Sequence, residues 1–400
     1  MNKPEADHDA LTFVVIAGAV ARGSYEAGAL AELLPRFVPD LRNTVFIGTS
    51  AGAINAALWA SYAHLGHPAA GEAVKNVWLS IEDKDVFAPL LRTGARDALG
   101  LAWGFANGKG LRSLLDTAPL ERTVKRELHT ARIAKNLQDK IFRGVGVVAT
   151  ACGEVVAGAR SHVFLQYEPL RLGLPRAKRR TPLNYFHEKL SAQHILASAA
   201  VPVMFPPVSI KAPRGSKRVE QVYVDGGVRL NTPIKPAIDL KAARIIVVSS
   251  HVASYPPETP SAKSIGMDDS LALILHSMLA DGMVEDLHKL RDINHYVKET
   301  LKVSKEPPTN RSGREYRAVK LAVVAPHAGV MAAAARDALE SRGPSLHVAR
   351  YSLFRKLLRF AGTGPGRDEL LSYLFFDRVY AAAQMKLGAE DASKVRDWET

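Results

Sequence analysis

A single cysteine, Cys152, in a chain of 400 residues excludes an intrachain disulfide and a cysteine zinc cluster. Long apolar runs are lacking too: no stretch approaches the roughly eighteen uninterrupted apolar residues of a membrane span, so none is expected. The opening MNKPEADHDA is polar and acidic, without the basic-then-apolar order of a secretory signal, and reads as a mobile tail over residues 1–10. A cytoplasmic home is the expectation. Aromatics amount to 7%, few of them interleave with the basic residues of 169–189, and no recognisable reading motif occurs, which argues against nucleic acid. There is no GxGxxG and no GK[ST] ending, which weakens a nucleotide reading, and no internal repeat or low-complexity tract.

Positive charge is in excess. Lys and Arg number 53 against 40 Asp and Glu, a net +13 that suits an anionic partner such as a membrane surface. Residues 169–189 carry Arg171, Arg176, Lys178, Arg179, Arg180 and Lys189 among prolines and read as an exposed loop. Residues 346–360 set Leu353, Phe354, Leu357 and Leu358 against Arg350, Arg355, Lys356 and Arg359, an amphipathic basic helix. Arg176–Arg180 and Arg350–Arg359 are therefore candidate contacts with an anionic bilayer; a solvated face and a helix docked on its own protein are the plainer readings.

The chain is organised around residues 44–58, TVFIGTSAGAINAAL. Val45, Phe46 and Ile47 form a run suited to a strand buried on both faces, and Ala51 onward is rich in helix formers. Ser50 thus falls at a strand-to-helix turn, where free amides and the helix dipole favour negative charge. Gly48 and Gly52 flank it at the GxSxG spacing of a nucleophile elbow. On the pentad alone, a serine N-cap reads equally well.

Around this stretch, strand, turn and helix alternate, which predicts a parallel or mixed sheet with helices on both faces. Residues 11–16 form a buried strand. After it comes the small-residue loop from Ala17 to Gly23 and a helix from about Ser24 that ends near Pro35. Further strands are expected at 141–150, 221–225 and 244–249, and a late one at 318–324. Helices are expected through 270–300, 328–341 and 369–387. Residues 60–140 read as a helical excursion over the active edge of the sheet, with Leu99, Leu101, Trp103 and Phe105 either core or acyl-chain contacts.

Four stretches together resemble the patatin-like phospholipase family: AGAVARGSYEAGAL from Ala17, the GTSAG elbow, ASAAVPVMFPPV from Ala197, and VYVDGGVRLNTPIKPAIDLKAARIIVV from Val222. The likeness spans roughly residues 11–250. It implies a three-layer α/β/α fold with a mostly parallel sheet, and a catalytic domain over 11–250 carrying a mainly helical extension over 251–400. It also implies a lipid acyl hydrolase that uses Ser50 as nucleophile and Asp225 as base through an acyl-enzyme, with neither metal nor cofactor. The oxyanion hole would come from Gly18, Ala19 and Val20, supported by Arg22, Gly23, Gly48, Gly52, Gly226 and Gly227. The substrate would be a phospholipid or another fatty-acyl ester, met at a peripheral membrane contact. One departure stands out: the family's glycine run is reduced here to Gly18, followed by Ala19 and Val20, and a branched residue at positive φ would be strained. The alternatives are a Ser-His-Asp esterase using a downstream histidine such as His251, and a lipid-binding scaffold of the same fold with a degraded oxyanion loop.

Overall fold

The computed structural model describes residues 10–89, 115–154, 156–167, 173–175, 182–211, 219–257, 266–309, 315–342 and 365–399. Leu99, Leu101, Trp103 and Phe105, the basic run Arg176–Arg180 with Arg171, and the amphipathic segment containing Arg350–Arg359 lie outside the described residues.

Among the described residues, nine strands form one sheet: β1 (Thr12–Ile16), β2 (Thr44–Thr49), β3 (Gly144–Ala151), β4 (Arg160–Tyr167), β5 (Leu183–His187), β6 (Val208–Ile210), β7 (Gln221–Asp225), β8 (Arg244–Val248) and β9 (Lys320–Val324). The order is β9-β8-β1-β2-β3-β4-β5, with β7 pairing β3 and β6. From β9 to β3 every pairing is parallel, and the strands are almost wholly buried, as their unbroken apolar runs require. Alternation divides the core between the two faces. Val14, Ile16 and Phe46 belong to one cluster; Phe13, Val15, Val45 and Ile47 belong to the other.

Helices cover both faces. Those longer or nearer the sheet, among the described residues and in chain order, are α1 (Gly23–Phe37), α2 (Ala51–Tyr62), α3 (His67–Ser80), α4 (Ala118–Glu127), α5 (Thr130–Gln138), α6 (Ala192–Ser198), α7 (Gly227–Leu230), α8 (Ile234–Asp239), α9 (Met267–His276), α10 (Gly282–Ser304), α11 (Val330–Ser341), α12 (Pro365–Leu374) and α13 (Arg378–Lys394), besides one short turn of helix, Asp83–Val86. The architecture is a three-layer α/β/α fold around a mostly parallel sheet. Under the sheet's first face, Asn55 Nδ2 donates to the Gly23 carbonyl and to Glu26, while Trp78 Nε1 donates to Asn55 Oδ1, so α1, α2 and α3 share one buried polar joint. No helix among the described residues is long and apolar enough to cross a membrane.

Several boundaries differ from the sequence reading. The helix expected to stop near Pro35 continues to Phe37 with Pro35 inside it. The last turn survives because the Val38 amide still reaches the Leu34 carbonyl at 2.9 Å. Residues 169–189 are not loop throughout, since Leu183–His187 is a strand paired in parallel with β4. The helix expected over 369–387 is two helices, because Asp377 caps a new start by accepting from the Val379 and Tyr380 amides. Between α9 and α10 the chain makes one π-helical turn, residues 277–281.

Candidate active site

The geometry of residue 50 follows from its neighbours. A Cβ on Gly48 would collide with the Gly52 carbonyl, and one on Gly52 with the carbonyls of Ile16 and Ala17, so only glycines let α2 start this close to β1 and β2. The tight reversal leaves Ser50 at φ 54°, ψ −125°, a conformation that costs a non-glycine residue about 1–3 kcal/mol. Ser50 makes no side-chain capping bond to α2, which removes the N-cap reading.

Register brings the carboxylate to the hydroxyl. β2 runs along β3 as far as the pair Thr49–Val148; beside the next residue of β3, β7 takes over in the opposite direction, with Asp225 facing Ala149. Strand β2 therefore ends, and Ser50 begins, beside the end of β7. Both residues are 4% exposed. The Gly227 amide donates to Asp225 Oδ1 at 2.6 Å, while Oδ2 is buried and without a hydrogen-bond partner among the described residues. Burial pushes the Asp225 pKa up to about 7, against the opposing pull of the Ser50 hydroxyl and the Gly227 amide. A carboxylate raised in this way is a better proton acceptor than an ordinary one.

Ser198, at the end of α6, escaped the sequence reading. Its Oγ accepts from the Ser50 amide at 2.8 Å and donates to the Val148 carbonyl at 2.5 Å. The Ala200 carbonyl accepts the Asp225 amide at 2.8 Å, so the ASAAVP segment ties Ser50 and Asp225 to one support. The signal was present in that segment's small residues, but nothing local said which of them faces the elbow.

The loop after β1 lies beside the elbow. Gly18 uses its own amide on the Asn231 carbonyl at 3.1 Å, whereas the Ala19 and Val20 amides donate to no backbone carbonyl among the described residues. Two backbone donors are therefore left beside Ser50. Val20 adopts φ 50°, the left-handed strain that its branched side chain disfavours. Val20→Gly is expected to raise stability by about 0.5 kcal/mol in denaturant melts, strain release outweighing glycine's entropy cost. A loss of more than about 1 kcal/mol would mean that Val20 packing matters more.

Arg22 does not face Ser50. Its buried guanidinium donates to Ser372 and to Glu369, at 2.6 Å for the carboxylate, and lies 3.8 Å over the Tyr373 ring, all on α12. Gly23 lies against the Trp78 ring of α3. Gly226 and Gly227 form the turn beyond Asp225. His251, the histidine of the triad alternative, is buried with Nε2 at 2.9 Å from the Gly18 carbonyl and Nδ1 at 3.4 Å from the Tyr373 hydroxyl; it makes no hydrogen bond to Ser50 or Asp225. A carbonyl only accepts, so Nε2 carries the proton, and burial with the neighbouring Arg22 and His276 holds the ring pKa well below its usual value. No group of three or more His, Cys, Asp or Glu side chains that could hold a metal ion forms among the described residues.

Residues 14–238 match the family described as patatin-like phospholipase. Among solved structures, the chain is similar to VipD from Legionella pneumophila, with 10% identity, TM-score 0.27, and coverage of 96% of this chain and 67% of that one. It is also similar to the ExoU–SpcU heterodimer from the type III secretion system of Pseudomonas aeruginosa, with 16% identity, TM-score 0.29, and coverage of 90% and 68%. No curated protein matches.

Proposed function

Because the chain belongs to the patatin-like phospholipase family, a family of lipid acyl hydrolases, we propose that it cleaves phospholipids or related fatty-acyl esters with Ser50 as nucleophile and Asp225 as its only base. The observation that carries the reading is the elbow serine at positive φ beside a buried carboxylate oxygen with no partner of its own among the described residues. Asp225 takes the Ser50 proton as Oγ attacks the ester carbonyl carbon. The oxyanion forms against the Ala19 and Val20 amides and the start of α2. Asp225 then returns the proton to the departing alkoxide oxygen, leaving an acyl-enzyme. In the second half, Asp225 accepts a proton from water, hydroxide adds to the acyl carbon, and the fatty acid leaves as Ser50 is reprotonated. No cofactor enters this scheme.

Residues 11–250 would form the catalytic unit and 251–400 an extension that braces it. The +13 charge supports contact with an anionic lipid surface. The test is a panel of phospholipids and p-nitrophenyl esters together with fluorophosphonate labelling. Label is expected on Ser50, and kcat/KM is expected to climb with pH as Asp225 ionises and to level off above about 7. A folded protein that turns over no ester and takes label elsewhere would sink the proposal.

A further inference from the structure

We infer that His251 is a positioning residue whose Nε2–H grips the Gly18 carbonyl and thereby aims the Ala19 amide at the oxyanion. This rests on the hydrolase reading above. Gly18 is adjacent to the nucleophile, since a Cβ built on it would sit 3.3 Å from Ser50 Cβ. Its carbonyl receives two donors, His251 Nε2 at 2.9 Å and Asn231 Nδ2 at 3.1 Å. The described chain has no cis peptide, and across a trans peptide the C=O and the following N–H point in opposite directions. β1 lies between β8 and β2. A Gly18 carbonyl drawn towards the loop after β8, where His251 sits, turns the Ala19 N–H towards the end of β2, where Ser50 sits.

The loop needs this grip because of its composition. Glycines would adopt the left-handed turn unaided, but Val20 holds φ 50° against its own preference, so the conformation has to be imposed from outside. Asn231 is itself anchored, with its Nδ2 also donating to the Leu279 carbonyl at 2.7 Å. His251 is fixed on its other side by the Tyr373 ring, stacked at 5.8 Å between centroids, and Tyr373 in turn carries Arg22, the residue that closes the loop. The uncharged ring has one donor and one acceptor nitrogen, and its donor is spent on Gly18. It therefore acts through the loop and not on the substrate.

Three variants and one spectrum test this. His251→Leu is expected to lower kcat about 10- to 100-fold with KM changed by less than about threefold, the range for a misdirected oxyanion donor. His251→Gln, whose amide can donate to the same carbonyl, should restore most of the rate. In a Val20→Gly background the His251→Leu loss should shrink, because a glycine turn needs less holding. By long-range ¹H–¹⁵N NMR the ring should be the Nε2–H tautomer from about pH 6 to 9. The Ala19 amide resonance should move in His251→Leu and not in His251→Gln. A Nδ1–H tautomer, a Leu variant as active as wild type, or a Gln variant as poor as Leu would overturn the inference. The NMR arm decides it even if wild type hydrolyses no ester, an outcome that would count against the hydrolase reading instead.

Discussion

Ser50→Ala is expected to abolish ester turnover, with kcat falling by at least about 10⁴-fold, while the protein remains folded with nearly unchanged stability. The size follows from removing a covalent nucleophile, whose loss in serine hydrolases costs about as much as losing the whole catalytic set. The stability expectation follows from the backbone. Residue 50 keeps φ 54° whichever non-glycine side chain it carries, and the bonds that hold the turn run through its amide to Ser198 and through its carbonyl to Ala53 and Ile54. Initial rates on a p-nitrophenyl ester and urea melts of both proteins make the comparison. Turnover within about tenfold of wild type would remove Ser50 from the mechanism.

Asp225→Asn is the second large effect, and it moves activity and stability in opposite directions. Activity should drop about 10³- to 10⁴-fold, since no other titratable side chain among the described residues hydrogen-bonds or pairs with the Ser50–Asp225 couple. Stability should rise. Below pH 3.8 the carboxyl is protonated in folded and unfolded chains alike and costs nothing. Between there and about 7 only the unfolded chain ionises, so wild type loses stability as pH rises, on the order of 4 kcal/mol from this group, and the loss levels off above about 7. The amide oxygen introduced by the substitution can still accept the Gly227 amide and is free of this penalty. The two proteins should melt alike at about pH 4, and the variant should be the more stable at about pH 8. Asp83, also raised to about 7 by burial, titrates in both and cancels in the difference. Equal stabilities at the higher pH would show that the carboxylate is better solvated than its surroundings indicate.

Much of this site was legible because its parts are short and contiguous. VFIGTSAG states a buried strand, a stop and a tight turn within eight residues, and VYVDGG states a strand ending in a carboxylate. Their meeting was not legible from spacing, because it depends on β7 taking over from β2 along the same neighbour, β3. Strands β4 and β5 escaped for a different reason. RSHVFLQY and LNYFH mix polar and aromatic residues as strands near a sheet edge do, and neither contains the continuous aliphatic run that marked β1 and β8. Ser198 had no role in the sequence and His251 only that of a triad histidine; their bonds to Ser50 and Gly18 span 148 and 233 residues. Asp377 is hidden inside SYLFFDRVY, where the apolar run suggests one helix and the cap makes two.

The seating of Arg22 on α12 bears on how this protein could be taken apart or recombined. The arginine that completes the loop beside Ser50 finds its counter-charge and its aromatic bed some 350 positions later, and α13 packs along α1 immediately afterwards. A fragment stopping where the family match stops, at residue 238, would strip that guanidinium of its counter-charge and aromatic bed and α1 of its cover. The tail is thus no exchangeable accessory. Proteolytic release of the segment carrying α12 is expected to loosen the loop beside Ser50 while leaving residues 50 and 225 in the remaining chain.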